Sequence, residues 1–225
     1  MFTGCRGWGH ARMIVLGLAG QSGTGKTTVA AMLVDRGAAC LDMDLVAREI
    51  VEPGTRVLGR IGKAFGEEFL LGDGTLNRRK LGRKVFSDPA ALELLNSITH
   101  PELVLRAREW ILGLEESACP PPVAVIDAAV LFESGLIELV DVVLVTVASL
   151  ELQAERIALR DGISHEDALA RIHAQRDVDV LAERADYLIR TDCPLEETAR
   201  QVDELWKALV GDRPYAGDHR NDRTK

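Results

Sequence analysis

The sequence predicts an α/β fold in which a parallel β-sheet lies between layers of helices. Apolar segments of strand length alternate with segments that carry the helical spacing of apolar residues, which is the order expected of a parallel sheet. One strand-to-helix junction is rich in glycine, and one long helical stretch, residues 55–118, interrupts the alternation. At about 150 residues per domain, the 225 residues correspond to one domain that carries an insertion.

The first part of the sheet is predicted between residues 13 and 54. Ile14–Leu18 indicate a buried strand, and the apolar residues Val29 and Leu33 indicate the helix after the glycine-rich turn. Ala38–Leu41 predict a second strand, and Leu45–Ile50 predict a short helix behind it. Two strands separated by a helix are typical of a parallel sheet.

The segment 55–118 lacks convincing strands and shows several patterns with a period near 3.6, so it is predicted to be a helical insertion. Within it, His100-Pro101 predicts a break between two helices, because a residue before proline disfavours the helical conformation. The triplet Pro120–Pro122 marks the return to the sheet.

The remaining chain completes the sheet. Further strands and a final helix are predicted at Val123–Ile126, Val142–Val147, Tyr187–Ile189 and residues 195–209. The charged helical segment 149–183 is predicted to be a lid over a sheet edge. Residues 1–12 are predicted to be an irregular arm, and residues 211–225 a disordered tail.

Composition limits the partners of the chain. The 27 Lys and Arg residues against 35 Asp and Glu give a net charge of −8, so no global basic field exists to hold nucleic acid or an anionic membrane. No apolar run approaches the roughly 20 residues that a membrane helix needs. The four cysteines form no CxxC pair, which favours a reducing compartment. We expect a cytoplasmic protein that acts on small molecules, and the sequence leaves its oligomeric state open.

The strongest motif is GQSGTGKT at residues 20–27, which follows a strand and precedes a helix. Its glycines allow the backbone N–H groups to face phosphate oxygens, and the following helix adds the positive end of its dipole. Lys26 would neutralise the β- and γ-phosphates. The Thr27 hydroxyl would serve as a ligand of Mg²⁺, so the loop predicts a magnesium–nucleotide complex.

Carboxylates follow two of the predicted strands, at the edge where open α/β sheets place their ligands. Asp42 and Asp44 follow the second strand. A carboxylate there could accept the proton of an attacking hydroxyl, and the equally favoured alternative is that Asp44 only caps the next helix. Asp127 ends the third strand. It is either a carboxylate on the magnesium side of the nucleotide, as in P-loop enzymes, or simply the polar end of a strand.

Basic residues are concentrated in two places. Arg78, Arg79, Lys80, Arg83 and Lys84 lie within seven residues of the insertion, which is usually a solvated face but would also suit an anionic second substrate. Arginines of the predicted lid are candidates to close over phosphates, although solvent and i,i+4 pairs are the commoner roles.

Taken together, these residues resemble the dephospho-CoA kinase family, from about Met13 to about Leu209. The matching stretches, in chain order, are Gly17-Leu18, Gly23–Thr28, Asp42–Asp44 with Ala47-Arg48, Pro53-Gly54, Phe65-Gly66, Asp73–Arg78 with Leu81, His100-Pro101, Asp127 with Leu131–Glu133, Gln153 with Arg156 and Arg160–Gly162, Arg171-Ile172 with Gln175, and Ala185-Asp186. The chain departs from the family at Ala129, where proline is usual, and at Arg190-Thr191, where asparagine is usual.

The resemblance implies a fold and a reaction. The fold would be a three-layer α/β/α P-loop kinase core with a parallel sheet, formed by residues 13–54, 119–148 and 184–210. Residues 55–118 would be the helical insertion that holds the CoA moiety, and residues 149–183 the helical lid. The reaction would be ATP-dependent phosphorylation of the ribose 3′-hydroxyl of dephospho-CoA, which gives coenzyme A and ADP in the last step of coenzyme A biosynthesis.

The resemblance also assigns residues. Asp44 would be the base, acting with Lys26, Mg²⁺ and a lid arginine on the transferring group. The residues implied to bind ATP are Gly23, Thr24, Gly25, Lys26, Thr27, Thr28, Arg156 and Arg160. The residues implied to bind the acceptor are Asp42, Arg48, Arg78, His100 and Asp127.

Two alternatives share the phosphate-binding loop. Another small-metabolite or nucleoside monophosphate kinase would have the same fold and a different acceptor site, which the insertion at 55–118 argues against. A nucleotide-gated switch protein should carry the guanine-reading N-K-x-D and a D-x-x-G turn, and the sequence contains neither.

Overall fold

The computed structural model describes residues 12–173 and 181–211 and contains a five-stranded, all-parallel sheet. The strands are β1 (Ile14–Ala19), β2 (Ala39–Asp42), β3 (Val123–Asp127), β4 (Val142–Val147) and β5 (Tyr187–Arg190). Their order across the sheet is β2-β3-β1-β4-β5, with β1 in the centre. The predicted α/β class with a parallel sheet is confirmed.

Helices cover both faces of the sheet. In chain order they are α1 (Lys26–Asp35), α2 (Met43–Glu49), α3 (Arg56–Phe65), α4 (Arg78–Ser87), α5 (Pro89–Glu115), α6 (Leu150–Asp161), α7 (His165–His173) and α8 (Leu195–Val210), with short 3₁₀ helices at Glu67–Phe69 and Leu136–Leu139. Because side chains alternate along a strand, Leu16 and Leu18 of β1 pack with α1 and α8, whereas Val15 and Ala19 pack with α2, α3 and α5. The sheet and the two groups of helices on its faces form the three layers of the fold.

The strand ends bring several functional candidates to one edge of the sheet. In the parallel register, Asp127 at the end of β3 lies beside Leu18 of β1 and beside Asp42 at the end of β2. The loop after β1, which contains the GQSGTGKT motif, leaves the sheet at the same edge. A ligand at this edge therefore meets residues from three strands.

The expected helix break at His100-Pro101 is wrong, because α5 runs without interruption from Pro89 to Glu115. Pro101 itself is exposed, and Ile98, Leu103 and Ala107 are buried on either side of it. Burial of these apolar side chains on both sides of the proline outweighs the local cost of the missing N–H group, which is about 3 kcal/mol in a helix interior.

The start of α2 also differs from the expectation. The helix begins at Met43 rather than Leu45, and its N-cap is Asp42, whose carboxylate accepts hydrogen bonds from the backbone N–H groups of Asp44 (2.8 Å) and Leu45 (3.2 Å). Asp44 is therefore not the cap and lies in the first turn of α2. The alternative role proposed for Asp44, that it only caps the helix, is excluded.

Some expectations fall on parts of the chain that are not described. The arm at 1–12 and the tail at 211–225 lie outside the described residues except for Arg12 and Gly211, and so do residues 174–180 of the expected lid. Along residues 12–173 and 181–211, no helix is both long enough and apolar enough to cross a membrane.

Leu33 of α1 offers a test of the packing beneath the phosphate-binding loop. Its side chain is fully buried between α1, the sheet and α8, whereas the adjacent Val34 is largely exposed. We expect Leu33→Ala to lower the free energy of unfolding by about 3 kcal/mol and Val34→Ala to change it by less than about 0.5 kcal/mol. Equilibrium urea denaturation measures both, and equal effects would contradict this packing.

Candidate active site

The loop between β1 and α1 adopts a conformation that requires glycine at two positions. Gly23 and Gly25 have φ angles of +80° and +77°, in the left-handed region that residues with a side chain rarely adopt. A Cβ atom on Gly23 would lie 2.7 Å from the backbone oxygen of Gln153, so α6 approaches the loop closely. Helix α1 begins at Lys26, directly after the second of these glycines.

Thr24 supports the loop from beneath. Its side chain is fully buried, and its hydroxyl donates to the backbone oxygen of Gln21 (2.7 Å) and lies 2.8 Å from the hydroxyl of Thr146 on β4. The hydroxyl is therefore engaged inside the protein, and the backbone N–H of Thr24 also donates to the backbone oxygen of Gln21 (3.3 Å). Thr27 and Thr28, in the first turn of α1, are exposed.

Lys26 and Asp127 form an ion pair at the edge of the sheet, in which the lysine Nζ donates to the carboxylate Oδ1. The Asp127 residue is 7% exposed. Burial raises the pKa of Asp127, the charges of Asp42 and Asp44 act in the same direction, and the positive charge and hydrogen bond of Lys26 oppose the rise. The ion pair holds the lysine beside the loop and compensates a carboxylate that would otherwise be costly to bury.

A cavity of about 480 Å³ opens over the loop. Its lining comprises Gly20, Gln21, Ser22, Gly23, Gly25, Lys26, Thr27, Asp44, Ala129, Val130, Glu133, Arg156, Arg160 and Leu181. The structure thus brings the candidate base Asp44 into the same cavity as Lys26 and Thr27. Both predicted lid arginines line it as well.

The two lid arginines have different surroundings. Arg156 donates from Nη1 to the backbone oxygen of Gly23 (3.0 Å) and to the hydroxyl of Thr191 (2.9 Å), and from Nη2 to the backbone oxygen of Thr191 (2.9 Å). Arg160 pairs through two hydrogen bonds with the neighbouring Asp161, at 2.7 and 3.1 Å. Asp161 also accepts from Arg171 of α7 at 2.7 Å, which links the two helices.

The three candidates for the acceptor side outside the sheet are Arg48, Arg78 and His100, and none of them is among the described residues that line the cavity. Arg78, at the start of α4, donates to the backbone oxygen of Arg48 in α2 (3.1 Å). His100 of α5 contacts the backbone of Glu133, which does line the cavity. Burial lowers the pKa of His100, and the charge of Glu133 and this hydrogen bond oppose the decrease.

Two residues of the site, Thr146 and Leu181, were missed in the sequence, and two others, Glu133 and Thr191, were noted only in the comparison with the family and without a role. Glu133 and Leu181 line the cavity, and Thr146 and Thr191 lie under the loop. Thr146 had a detectable signal, because it is the single polar residue in the apolar strand Val142–Val147. For Leu181, an ordinary apolar residue, the sequence offers no such signal.

The fold and the loop define the class of protein: an α/β protein with a phosphate-binding P-loop. A family model described as dephospho-CoA kinase matches residues 14–197. The chain belongs to the dephospho-CoA kinase family, which confirms the resemblance found in the sequence.

Individual relatives agree with this assignment. A dephospho-CoA kinase from Streptomyces avermitilis is 42% identical over 198 residues, with 88% of this chain and 95% of the relative covered. One from Anaeromyxobacter dehalogenans is 43% identical over 201 residues, with 89% and 94% covered.

Solved structures support the fold. A Thermus thermophilus protein superposes with a TM-score of 0.74 at 32% identity, with 88% of this chain and 99% of that chain covered. A dephospho-CoA kinase from Campylobacter jejuni superposes with a TM-score of 0.64 at 23% identity, with 88% and 98% covered.

The N-cap Asp42 can be tested separately from the chemistry. We expect Asp42→Ala to lower the free energy of unfolding by about 1 kcal/mol, because two backbone N–H groups of α2 lose their acceptor. Asp42→Asn should retain most of the stability, since asparagine is a comparable cap. Thermal and urea denaturation of the two variants give the comparison. If Asp42→Asn lowers the free energy of unfolding as much as Asp42→Ala does, the negative charge rather than the capping hydrogen bonds stabilises the start of the helix.

Proposed function

We propose that this kinase transfers the γ-phosphoryl group of ATP to the ribose 3′-hydroxyl of dephospho-CoA, giving coenzyme A and ADP. The observation that carries the proposal is the shared cavity. The Asp44 carboxylate, the Lys26 ammonium and the Thr27 hydroxyl line one space over a glycine loop that begins a helix. An acceptor hydroxyl and a terminal phosphate can therefore meet between a base and a phosphate cradle.

The phosphate side of the reaction is assigned to the loop and to Lys26. Backbone N–H groups at the start of α1 and the positive end of its dipole favour the β- and γ-phosphates. The Lys26 ammonium has three N–H donors, and Asp127 accepts one of them. The remaining donors are left for phosphate oxygens, so we assign Asp127 the role of holding the lysine.

The site suits Mg²⁺ bound together with the nucleotide. Thr27 offers an exposed hydroxyl, and the nearby carboxylates are hard oxygen donors of the kind that Mg²⁺ prefers. Along the described residues, no group of three or more His, Cys, Asp or Glu could hold a metal ion without the nucleotide. The ion would be held by Thr27 and the phosphates, where it neutralises negative charge that develops on the transferring group.

Asp44 is the proposed general base. Capping by Asp42 places Asp44 in the first turn of α2, where it is exposed and lines the cavity. As the acceptor oxygen forms its bond to the γ-phosphorus, the bond from that phosphorus to the oxygen of ADP breaks, and the hydroxyl proton passes to the Asp44 carboxylate. The transfer is therefore balanced in atoms and charge.

Arg160 is the lid arginine that we assign to the transferring phosphoryl group. The guanidinium of Arg156 already makes three hydrogen bonds to the loop and to Thr191, whereas the guanidinium of Arg160 pairs with the carboxylate of its neighbour Asp161 near the surface. An exposed ion pair is worth about 0–1 kcal/mol. A phosphate can replace that partner at little cost.

The acceptor side is assigned to α2 and to the insertion 55–118, with residues 149–183 as the lid. Arg78 bonded to the backbone of Arg48 gives two cations at the junction of α2 and α4, suited to the phosphates of a CoA-like acceptor. His100 is hydrogen-bonded to the backbone of Glu133, which lines the cavity. In the basic run, Lys80 donates to the backbone oxygen of Glu68 (2.9 Å) and Lys84 pairs with Asp88 (2.7 Å), which gives those two lysines structural roles.

We also propose that the kinase works in the cytoplasm and acts on small molecules without nucleic acid. The thiols of Cys40 and Cys193 are free. Burial, supported by the charges of Asp127 and Asp42, raises the pKa of the Cys40 thiol to about 11, so it stays protonated at neutral pH. Cysteines that form no disulfide are typical of proteins from a reducing compartment, which supports this part of the proposal.

The acceptor is tested by coupled ADP release with MgATP and dephospho-CoA, in parallel with adenosine, AMP, CMP and shikimate, and with the product mass determined. We expect turnover with dephospho-CoA alone and a product heavier by one phosphoryl group. Turnover with a different acceptor would retain the fold and mechanism and overturn the proposed substrate. Slow ATP hydrolysis with every acceptor would favour a nucleotide-gated switch.

The role of Asp44 is tested by Asp44→Asn, with Glu49→Gln as the control because Glu49 is an exposed carboxylate on the same helix outside the cavity lining. We expect Asp44→Asn to lower kcat by about a hundredfold or more, the usual effect of losing a positioned base, and to leave MgATP affinity nearly unchanged. The control should have the kcat of the unaltered protein. A normal kcat for Asp44→Asn would show that another group takes the proton.

A further inference from the structure

Three threonine side chains form a connected layer beneath the phosphate-binding loop. Thr24 belongs to the loop, Thr146 to β4, and Thr191 follows β5; we call them the threonine layer. The three are 0%, 0% and 5% exposed. Thr191 donates its hydroxyl proton to the backbone oxygen of Thr24 (2.8 Å), and the Thr24 hydroxyl lies 2.8 Å from that of Thr146. The ends of two strands thus support the loop through hydroxyl groups.

The Thr191 hydroxyl also organises Arg156. A hydroxyl carries one donor and two acceptor lone pairs. Its proton goes to Thr24, and one lone pair accepts from Nη1 of Arg156 (2.9 Å). The backbone oxygen of Thr191 accepts from Nη2 of the same guanidinium (2.9 Å), so Thr191 receives the arginine at two atoms. Arg156 in turn donates to the backbone oxygen of Gly23 (3.0 Å).

These contacts use the carbonyl oxygens of two consecutive loop residues. The oxygen of Gly23 is held by Arg156 and the oxygen of Thr24 by Thr191. A loop that binds phosphate through its N–H groups must turn its carbonyl oxygens elsewhere, because an oxygen facing a phosphate would repel it. Thr191 also limits the position of Gly25, whose hypothetical Cβ would lie 3.2 Å from the Thr191 hydroxyl oxygen.

We propose that Thr191 is a positioning residue of the nucleotide site, whose hydroxyl fixes the loop carbonyl of Thr24 and the guanidinium of Arg156 so that the loop is ready for phosphate before ATP arrives. Thr191 is absent from the cavity lining, so it acts through its neighbours. The proposal rests on the proposed function only in that the loop binds ATP. It does not depend on the identity of the acceptor.

Thr191→Val tests the hydroxyl, because valine has nearly the same shape and lacks the donor and acceptor. Thr191→Ser keeps the hydroxyl and should restore function. Thr198→Val is the matched control: Thr198 is also buried (2% exposed), but its hydroxyl lies 3.4 Å from the Cys193 sulfur, away from the loop. Each variant is measured for KM of MgATP, KM of dephospho-CoA, kcat, MgATP binding by calorimetry, and thermal stability.

We expect Thr191→Val to raise the KM and the dissociation constant of MgATP by about tenfold, as for a lost hydrogen bond to a charged group. The KM of dephospho-CoA and kcat should change much less. The Thr191→Ser and Thr198→Val variants should behave as the unaltered protein. If Thr191→Val does not fold, Arg156→Lys removes the fork of donors from the other side and should give the same selective loss of MgATP affinity.

The outcomes separate this proposal from the proposed function. Normal MgATP affinity in a folded Thr191→Val variant would overturn the positioning role while the kinase assignment stands. If the Thr191→Val variant does not fold, normal MgATP affinity in a folded Arg156→Lys variant would have the same meaning. An equal increase in both KM values would also overturn it, since that indicates a general disturbance. Failure of the unaltered protein to bind MgATP would instead refute the proposed function.

Discussion

The buried ion pair of Lys26 and Asp127 is the interaction on which the site depends. Asp127 ends β3, next to the central strand, and its low exposure makes an uncompensated negative charge costly. Lys26 is the first residue of α1, so its ion pair with Asp127 joins the start of this helix to the middle of the sheet. The lysine is thereby placed before any ligand binds, which reduces the entropy lost when a nucleotide arrives.

The parallel topology explains why so many different elements contribute to one cavity. All five strands end at the same edge, and the residues that follow β1, β2, β3 and β4 supply the loop, Asp44, Glu133 and the arginines of α6. No single segment carries the site. The glycine loop can therefore be shared with other kinases, while α2 and the segment 55–118 are where we propose that the acceptor binds.

The sequence was sufficient for features that depend on local patterns. Strand-length apolar runs located all five strands within one or two residues, and the GQSGTGKT motif located the loop, because both follow from periodicity and from the conformational freedom of glycine. It failed where tertiary contacts outweigh local preference. Pro101 does not break α5, since the apolar residues on both sides of it, Ile98 and Leu103, are buried. The contacts of Arg156 with Thr191 join residues 35 positions apart, and no periodicity reports such a pair.

The continuity of α5 determines how the segment 55–118 is held to the rest of the fold. The 27 residues of this helix extend over about 40 Å, at 1.5 Å per residue. Along this length α5 packs against α3 and α4 of the same segment and against α2, the helix that carries Asp44. The candidate residues of α2 and those at the start of α4 therefore share one long helix as their common support.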